Sequence, residues 1–507
     1  MKSFTWCLLF FACYLQAQSY TVTADFTNRS GGPLIPGPMA GWNGQNVNLG
    51  GRGATIGARI QDAQLWNQRY TLDLSDYCTA SGCGPSYTRL DKDLNEVYND
   101  VGTNARVTIV IEGTPTDLTR DLGCGNQGVP SDVTMWGQFA AQVVHHIDQQ
   151  TYFAIVEAYE IENEPDIGGI CWPSWYGEQQ QLHDYKLIYA AAAPQIKTQL
   201  SSDGKSALVG GPAICCQDKA AGWLYTGYGT EPAFLQDAAT ASYVDFVSAH
   251  HFGYGSSDGG QELGDEQGPR FRNFANDLYG YIHAGLQPNA SSTPLWINEY
   301  DTGVGKVVVK SHNRPTDACR FAACNGLFQG LFIADQIASV YDSHHGMART
   351  WMYHIYTSNH CIFGTATVNT DNCVSSNFLP MPNYYAFKLI NGTIADGLDL
   401  GSGGNAIRQY SRGQPSDTVT AGWYNESGNH FFIVNPGANS YTIRFVFKNT
   451  GYVSWTGAGT HLWDSVHRPT AITDKSITMT KSNTSDWTTS AITVPPYSIL
   501  GVGFRGQ

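Results

Sequence analysis

Short apolar runs alternate with stretches of helical periodicity over the first three quarters of the chain; beyond that, only strand-like alternation remains. The candidate strands are Met39–Trp42, Thr55–Ile60, Arg106–Glu112, Ala158–Glu164, Ala207–Gly211, Val244–His250, Leu295–Glu299 and Met347–Tyr353. Most read as strands covered on both faces, which lose the alternation of half-exposed ones. Between them Met135–Gln149, Leu182–Leu200, Phe271–Ala284 and Gly326–Tyr341 carry apolar residues at helical spacing. Eight strands with helical returns predict an α/β fold, a (β/α)8 TIM barrel, over residues 35–391. A doubly wound open sheet is the alternative, but no glycine-rich phosphate loop follows the first strand.

From residue 392 to 507 the alternating stretches Phe431–Val434, Tyr441–Phe447, Ser476–Met479 and Ile492–Leu500 are spaced by Gly, Asn and Pro turns. They predict a C-terminal β-sandwich domain. Residues 18–34 form a separate N-terminal segment, and its alternating stretch Tyr20–Phe26 is a candidate extra strand of that sandwich. Residues 1–17 read as a secretory signal: Lys2, a largely apolar Phe4–Leu15 and a small residue, Ala17, at the expected cut. A lipoprotein cut before Cys13 is the rival reading. No later run of about 20 apolar residues follows, so no membrane span is expected.

Two carboxylates stand out against this frame. Glu164 closes the run Phe153–Glu164 and is followed by Pro165, which cannot donate to the next rung of a ladder. Glu299 stands in similar surroundings within Leu295-Trp296-Ile297-Asn298-Glu299-Tyr300. Barrel sites form at the carboxyl ends of the strands. Two glutamates at two such ends are what retaining glycoside hydrolysis needs, one to protonate the leaving oxygen and one to attack the anomeric carbon. Each alone is equally well read as an ordinary charge at a strand end. Glu160, Glu162 and Glu164 share parity along the strand and are expected to point inward. Glu160 should lie deep and need a partner such as a buried arginine.

Composition narrows the setting. A formal charge of −14 disfavours nucleic acid and anionic membranes as partners. Twelve cysteines include Cys7 and Cys13 of the leader, and the even remainder in an exported chain suggests disulfides. Cys78/Cys83, Cys319/Cys324 and Cys361/Cys373 are close enough in sequence to pair locally, whereas Cys124, Cys171, Cys215 and Cys216 cannot be assigned. No Cys-x-x-Cys ladder supports a zinc site, and neither metal nor cofactor is expected. The sequons at Asn28, Asn289, Asn391, Asn425 and Asn483 permit glycosylation in a eukaryotic host. His251, His145-His146 and His344-His345 are read as structural or solvated rather than as metal ligands.

At these residues the chain resembles clan A of the retaining glycoside hydrolases, and within it the family 39 group of β-xylosidases and α-iduronidases. Tyr159–Asp166 resembles the acid/base motif and Trp296–Tyr300 the nucleophile strand. Val209–Pro212 resembles the family's fifth strand, Asp245–His250 its sixth, Pro382–Leu389 its closing helix and Val494–Ser498 the last strand of its sandwich. The resemblance implies Glu164 as acid/base and Glu299 as nucleophile. It implies Asn163 on the sugar 2-hydroxyl, Arg59 as the second-strand arginine that lowers the pKa of Glu299, and His250 lining the sugar site. Trp351, on the predicted eighth strand, is a candidate platform for the sugar. Two departures stand out: Glu162 replaces a usual Trp or Gly, and Phe252 a usual Tyr. The expected function is a secreted, β-xylosidase-like retaining glycosidase acting on carbohydrate. Its rivals are a β-glucuronidase, an arabinofuranosidase or an endo-acting enzyme on the same scaffold and, from another class, a non-catalytic carbohydrate-binding barrel. The oligomeric state is left open.

Overall fold

A computed structural model describes residues 18–26, 33–34, 40–44, 53–84, 86–120, 122–215, 217–252, 267–301, 349–352, 363–364, 379–380, 382–390, 404–406, 409–412, 419–425, 428–435, 439–463, 477–496 and 498–506. The predicted helix Gly326–Tyr341, His344-His345 and the pairs Cys319/Cys324 and Cys361/Cys373 lie outside them.

Eight parallel strands close into the predicted barrel: Ala40–Gly44, Asn67–Asp73, Arg106–Glu112, Val156–Ile161, Leu208–Ile214, Phe246–Phe252, Leu295–Asp301 and Arg349–Met352. The eighth pairs with the first, Trp351 opposite Gly41. Helices α1 (Gly53–Asp62), α2 (Thr88–Asp100), α3 (Val133–Asp148) and α4 (Glu178–Ser202) lie among the returns. α3 and α4 pack tightly at Gly137, where a Cβ would come within 2.8 Å of the Ala191 carbonyl oxygen.

The second strand corrects the reading of the sequence. Thr55–Ile60, predicted as a strand, lies inside α1, so Arg59 is a helix residue. Ile56, Ile60 and Ala63 are fully buried, and their spacing is that of one helical face. The true second strand, Asn67–Asp73, opens with Asn67-Gln68-Arg69, all buried, and that polar start hid it from a search for apolar runs.

Two sheets form the β-rich domain. One joins the N-terminal strand Gln18–Asp25 in parallel to Tyr441–Lys448 and antiparallel to Gln409–Arg412. The other is built on Val419–Asn425, Gly428–Asn435, Ser498–Gly506 and Trp455–Trp463. Tyr441–Lys448 alternates strictly, turning Tyr441, Ile443, Phe445 and Phe447 into a core shared with Val22, Phe431, Val502 and Phe504. The closing helix Pro382–Ile390 joins the domains. Leu389 packs near Gly501 of the sandwich, while Lys388 pairs with Asp62 at the end of α1 at 2.8 Å.

Candidate active site

The site is built where the fourth strand stops. The strand ends at Ile161, three residues before Glu164, because the backbone turns left-handed at Glu162 (φ 63°) and again at Glu164 (φ 45°). Such conformations cost a non-glycine residue on the order of 1 kcal/mol or more and persist only when their surroundings fix them. Here Glu162 N–H donates to the Ile111 carbonyl at 2.9 Å and Glu164 N–H to that of Ala213 at 3.2 Å. The Glu164 carbonyl in turn accepts from Ile167, Gly168 and Gly169 at 3.0–3.3 Å. Gly169 is obligatory, since a Cβ there would lie 1.5 Å from the Asn163 carbonyl oxygen.

One guanidinium organises the floor. Arg69, 1% exposed, donates through Nε to Glu160 at 2.7 Å, through Nη1 to Glu299 at 2.6 Å and through Nη2 to Asn163 Oδ1 at 2.7 Å. A planar fork with fixed donor directions suits three acceptors in one plane as a lysine could not. Asn298 Nδ2 donates to the other oxygen of Glu160, so Glu160 is a buried counter-charge paired with an arginine. His250, fully buried at the end of the sixth strand, places Nδ1 2.8 Å from Glu164 Oε1 and 3.5 Å from Glu299 Oε2. Glu164, His250 and Glu299 bring one ligand-capable atom each to within 4.8 Å of one another.

The structure thus gathers Glu164, Glu299, Asn163 and His250 and puts Arg69 where Arg59 was expected. The Trp351 backbone lies on the eighth strand, and its side chain is outside the described residues. His145 and His146 are elsewhere, bonded to Asp203 and Asp91.

Electrostatics set the proton positions. Burial raises the Glu299 carboxyl above the usual range; His250 and Arg69 oppose this, and Glu164 and Glu160 add to it. Burial alone would also raise Glu164, but the hydrogen bond and charge of His250, with Cys215 and Arg69, bring it below the usual range. For His250, burial favours the neutral ring, yet Glu299 and Glu164 together raise it above the ordinary value. In this geometry the proton of the Glu164–His250 pair rests on the imidazole.

Beside this group the ends of the second and third strands and the left-handed turn bring together Asp73, Glu112 and Glu162. Burial pushes Glu112 up to about 7, with Arg69 pulling down and Asp73, Glu299 and Glu160 pushing up. Burial also raises Glu162 well above the usual carboxyl range, helped by Glu112 and Asp73. Asp73 is held by the Ser75 N–H and by Asn126. Asp73 and Glu112 line a cavity of about 230 Å³ with Tyr70, Thr71, Asp76, Tyr77 and Arg89. Among the described residues, the buried guanidinium at this mouth, Arg69, is already committed to three acceptors.

No protein-family model matches the chain, and neither does any curated protein. Solved structures do. The chain is similar to a GH39 enzyme from Xanthomonas axonopodis pv. citri, at 14% identity over 99% of this chain and 100% of that one, with a TM-score of 0.62. It is similar to a GH30 endoxylanase from Clostridium papyrosolvens C71, at 13% identity over 96% and 100%, with a TM-score of 0.61. A bacterial orthologue of human α-L-iduronidase matches at 12% identity over 97% and 84%, with a TM-score of 0.59. The clan A likeness implied by the motifs is borne out at the level of the fold.

Proposed function

We propose that the chain is a retaining glycoside hydrolase, β-xylosidase-like, acting on plant or microbial polysaccharide or on oligosaccharides cut from it. The arrangement of Glu164, His250 and Glu299, with Arg69 on Glu299, carries this reading. Carboxylates this close suit double displacement, in which the retaining pair stands about 5–5.5 Å apart. Inversion needs room for a water between them.

Glu299, its charge held by Arg69 and His250, attacks the anomeric carbon. Glu164 protonates the departing oxygen with a proton that crosses from His250 Nδ1 along the existing 2.8 Å hydrogen bond. Asn163, oriented by Arg69, offers its amide N–H to the 2-hydroxyl. Glu164 then takes a proton from water to release the sugar. Export accords with the Cys78–Cys83 and Cys124–Cys171 disulfides. No helix among the described residues is long and apolar enough to cross a membrane.

The test is azide rescue on 4-nitrophenyl β-xylopyranoside, with other aryl glycosides in parallel. Glu299→Ala should lose nearly all turnover, and any azide product should be inverted. Glu164→Ala should lose about 10²–10⁴-fold where departure needs a proton, and azide should restore turnover with retained configuration. Exchanged outcomes, read by NMR of the glycosyl azide, would reverse the two roles. A wild-type protein that binds oligosaccharide but hydrolyses no glycoside would instead be the non-catalytic barrel.

A further inference from the structure

The loop that follows the acid/base, residues 165–177, is fastened along its length. Trp172 Nε1 donates to the Pro165 carbonyl at 2.6 Å, one residue beyond Glu164. Cys171 is tied to the preceding loop by the disulfide to Cys124 and by its N–H to the Gln127 carbonyl at 2.7 Å. The Tyr176 ring stacks on Trp172 with centroids 6.1 Å apart. Its hydroxyl donates to Asp184 at 3.2 Å, and Arg120 holds the same carboxylate at 2.7 Å.

At the crest of this clamp Trp175 is 79% exposed, more than any other large apolar side chain among the described residues. Its ring contact is with Tyr176, T-shaped, and most of the indole surface is left to solvent. A scattered exposed aromatic needs no explanation. This one stands on a cross-linked loop at the catalytic end of the barrel, where its ordering cost is met by the folded chain before any ligand arrives. Its loop is also the one that leads out of Glu164, tied back to the adjoining Pro165 through Trp172.

Building on the glycosidase reading above, we propose that Trp175 is a stacking platform for a sugar ring on the leaving-group side of the scissile bond. The enzyme would then favour oligosaccharide or polysaccharide chains over glycosides with a small leaving group. The flat indole matches the C–H face of a pyranose, and the contact is apolar and tolerant of the ring's substituents.

The test compares wild type, Trp175→Ala and Trp175→Phe on 4-nitrophenyl β-xylopyranoside and xylohexaose, with the glucose series alongside. In Trp175→Ala, kcat/KM for the hexasaccharide should fall roughly tenfold more than for the aryl glycoside, mainly through KM. Trp175→Phe should recover most of that loss. Equal losses on both substrates, or none on the hexasaccharide, overturn the proposal. A wild type that cleaves aryl glycosides yet gains nothing from a longer chain overturns it alone, whereas one that cleaves no glycoside overturns the glycosidase reading and this proposal with it.

Discussion

The mouth of the barrel and the core of the sandwich are both buried, yet they are made of opposite materials. Arg69, Glu160, Glu162, His250 and Glu299 are each no more than 3% exposed at the mouth, and two left-handed residues sit within three positions. The sandwich core is a cluster of rings, Phe431, Phe445, Phe447 and Phe504, with neighbouring centroids 4.9–6.0 Å apart. Burying charge costs free energy unless every group is paired, and burying rings contributes it. Stability is therefore drawn from one region, while the other keeps the strained and titrating groups that chemistry needs.

Removing a ring is the strongest way to probe this division from the sandwich side. Phe445 is fully buried and packs against Phe431, Phe447 and Phe504. Phe445→Ala should destabilise the protein by about 3–5 kcal/mol, seen as an earlier transition in scanning calorimetry. Its kcat/KM at a temperature where the protein remains folded should match wild type. A comparable loss of activity in the folded variant would show that the sandwich shapes the site.

A smaller effect is expected from the mouth. His250→Phe removes a charge that lowers the pKa of Glu299, and removes the proton store for Glu164. Glu299 should then need a higher pH to ionise, so the acid limb of the kcat/KM profile should move up, with roughly a 10–100-fold loss at the optimum. An unmoved acid limb would assign His250 a packing role only.

The two regions also differed in how far they could be read from sequence. Strands such as Arg106–Glu112 and Leu295–Asp301 are apolar runs, and the sandwich strands alternate, so both announce themselves. Glu164 and Glu299 were visible because each ends such a run. Arg69 was not, because its strand turns polar residues inward and its partners come from strands far away in sequence. Arg59 took its place only because α1 carries isoleucines that pass for a strand in a short window. The turn at Glu162 was hidden for a similar reason: strand parity puts Glu160, Glu162 and Glu164 on one face, but the strand stops at Ile161. Cys124–Cys171 joins the loops after the third and fourth strands, which the pairing of those strands brings together, so spacing could not find it. The fastened Trp175 escaped notice because the contacts that clamp its loop are tertiary.

The subtlest difference is in the pH dependence of stability, where the two regions have opposite signs. In the sandwich, burial pushes His430 down to about 3, helped by His461. Its folded-state pKa lies below the unfolded one, so its contribution is present above pH ~6.5 and fades as pH falls towards 3. At the mouth Glu112 rises from 4.5 to about 7. Its contribution is complete below the unfolded value and is lost as pH climbs towards about 7, when an ionised carboxylate faces Asp73, Glu160 and Glu299, offset by Arg69. Each pKa unit corresponds to about 1.4 kcal/mol. With a discount for partial exposure, this residue accounts for roughly 1–2 kcal/mol between pH 4.5 and 7. Glu112→Gln cannot ionise and keeps the shape. Its melting temperature should therefore fall less than that of wild type between pH 4.5 and pH 8, with the two curves parting between about pH 4.5 and 7 and keeping a constant gap above. His430→Gln should narrow the loss on the acid side and leave the alkaline side alone. Parallel curves for Glu112→Gln and wild type would show that the mouth already tolerates the ionised carboxylate.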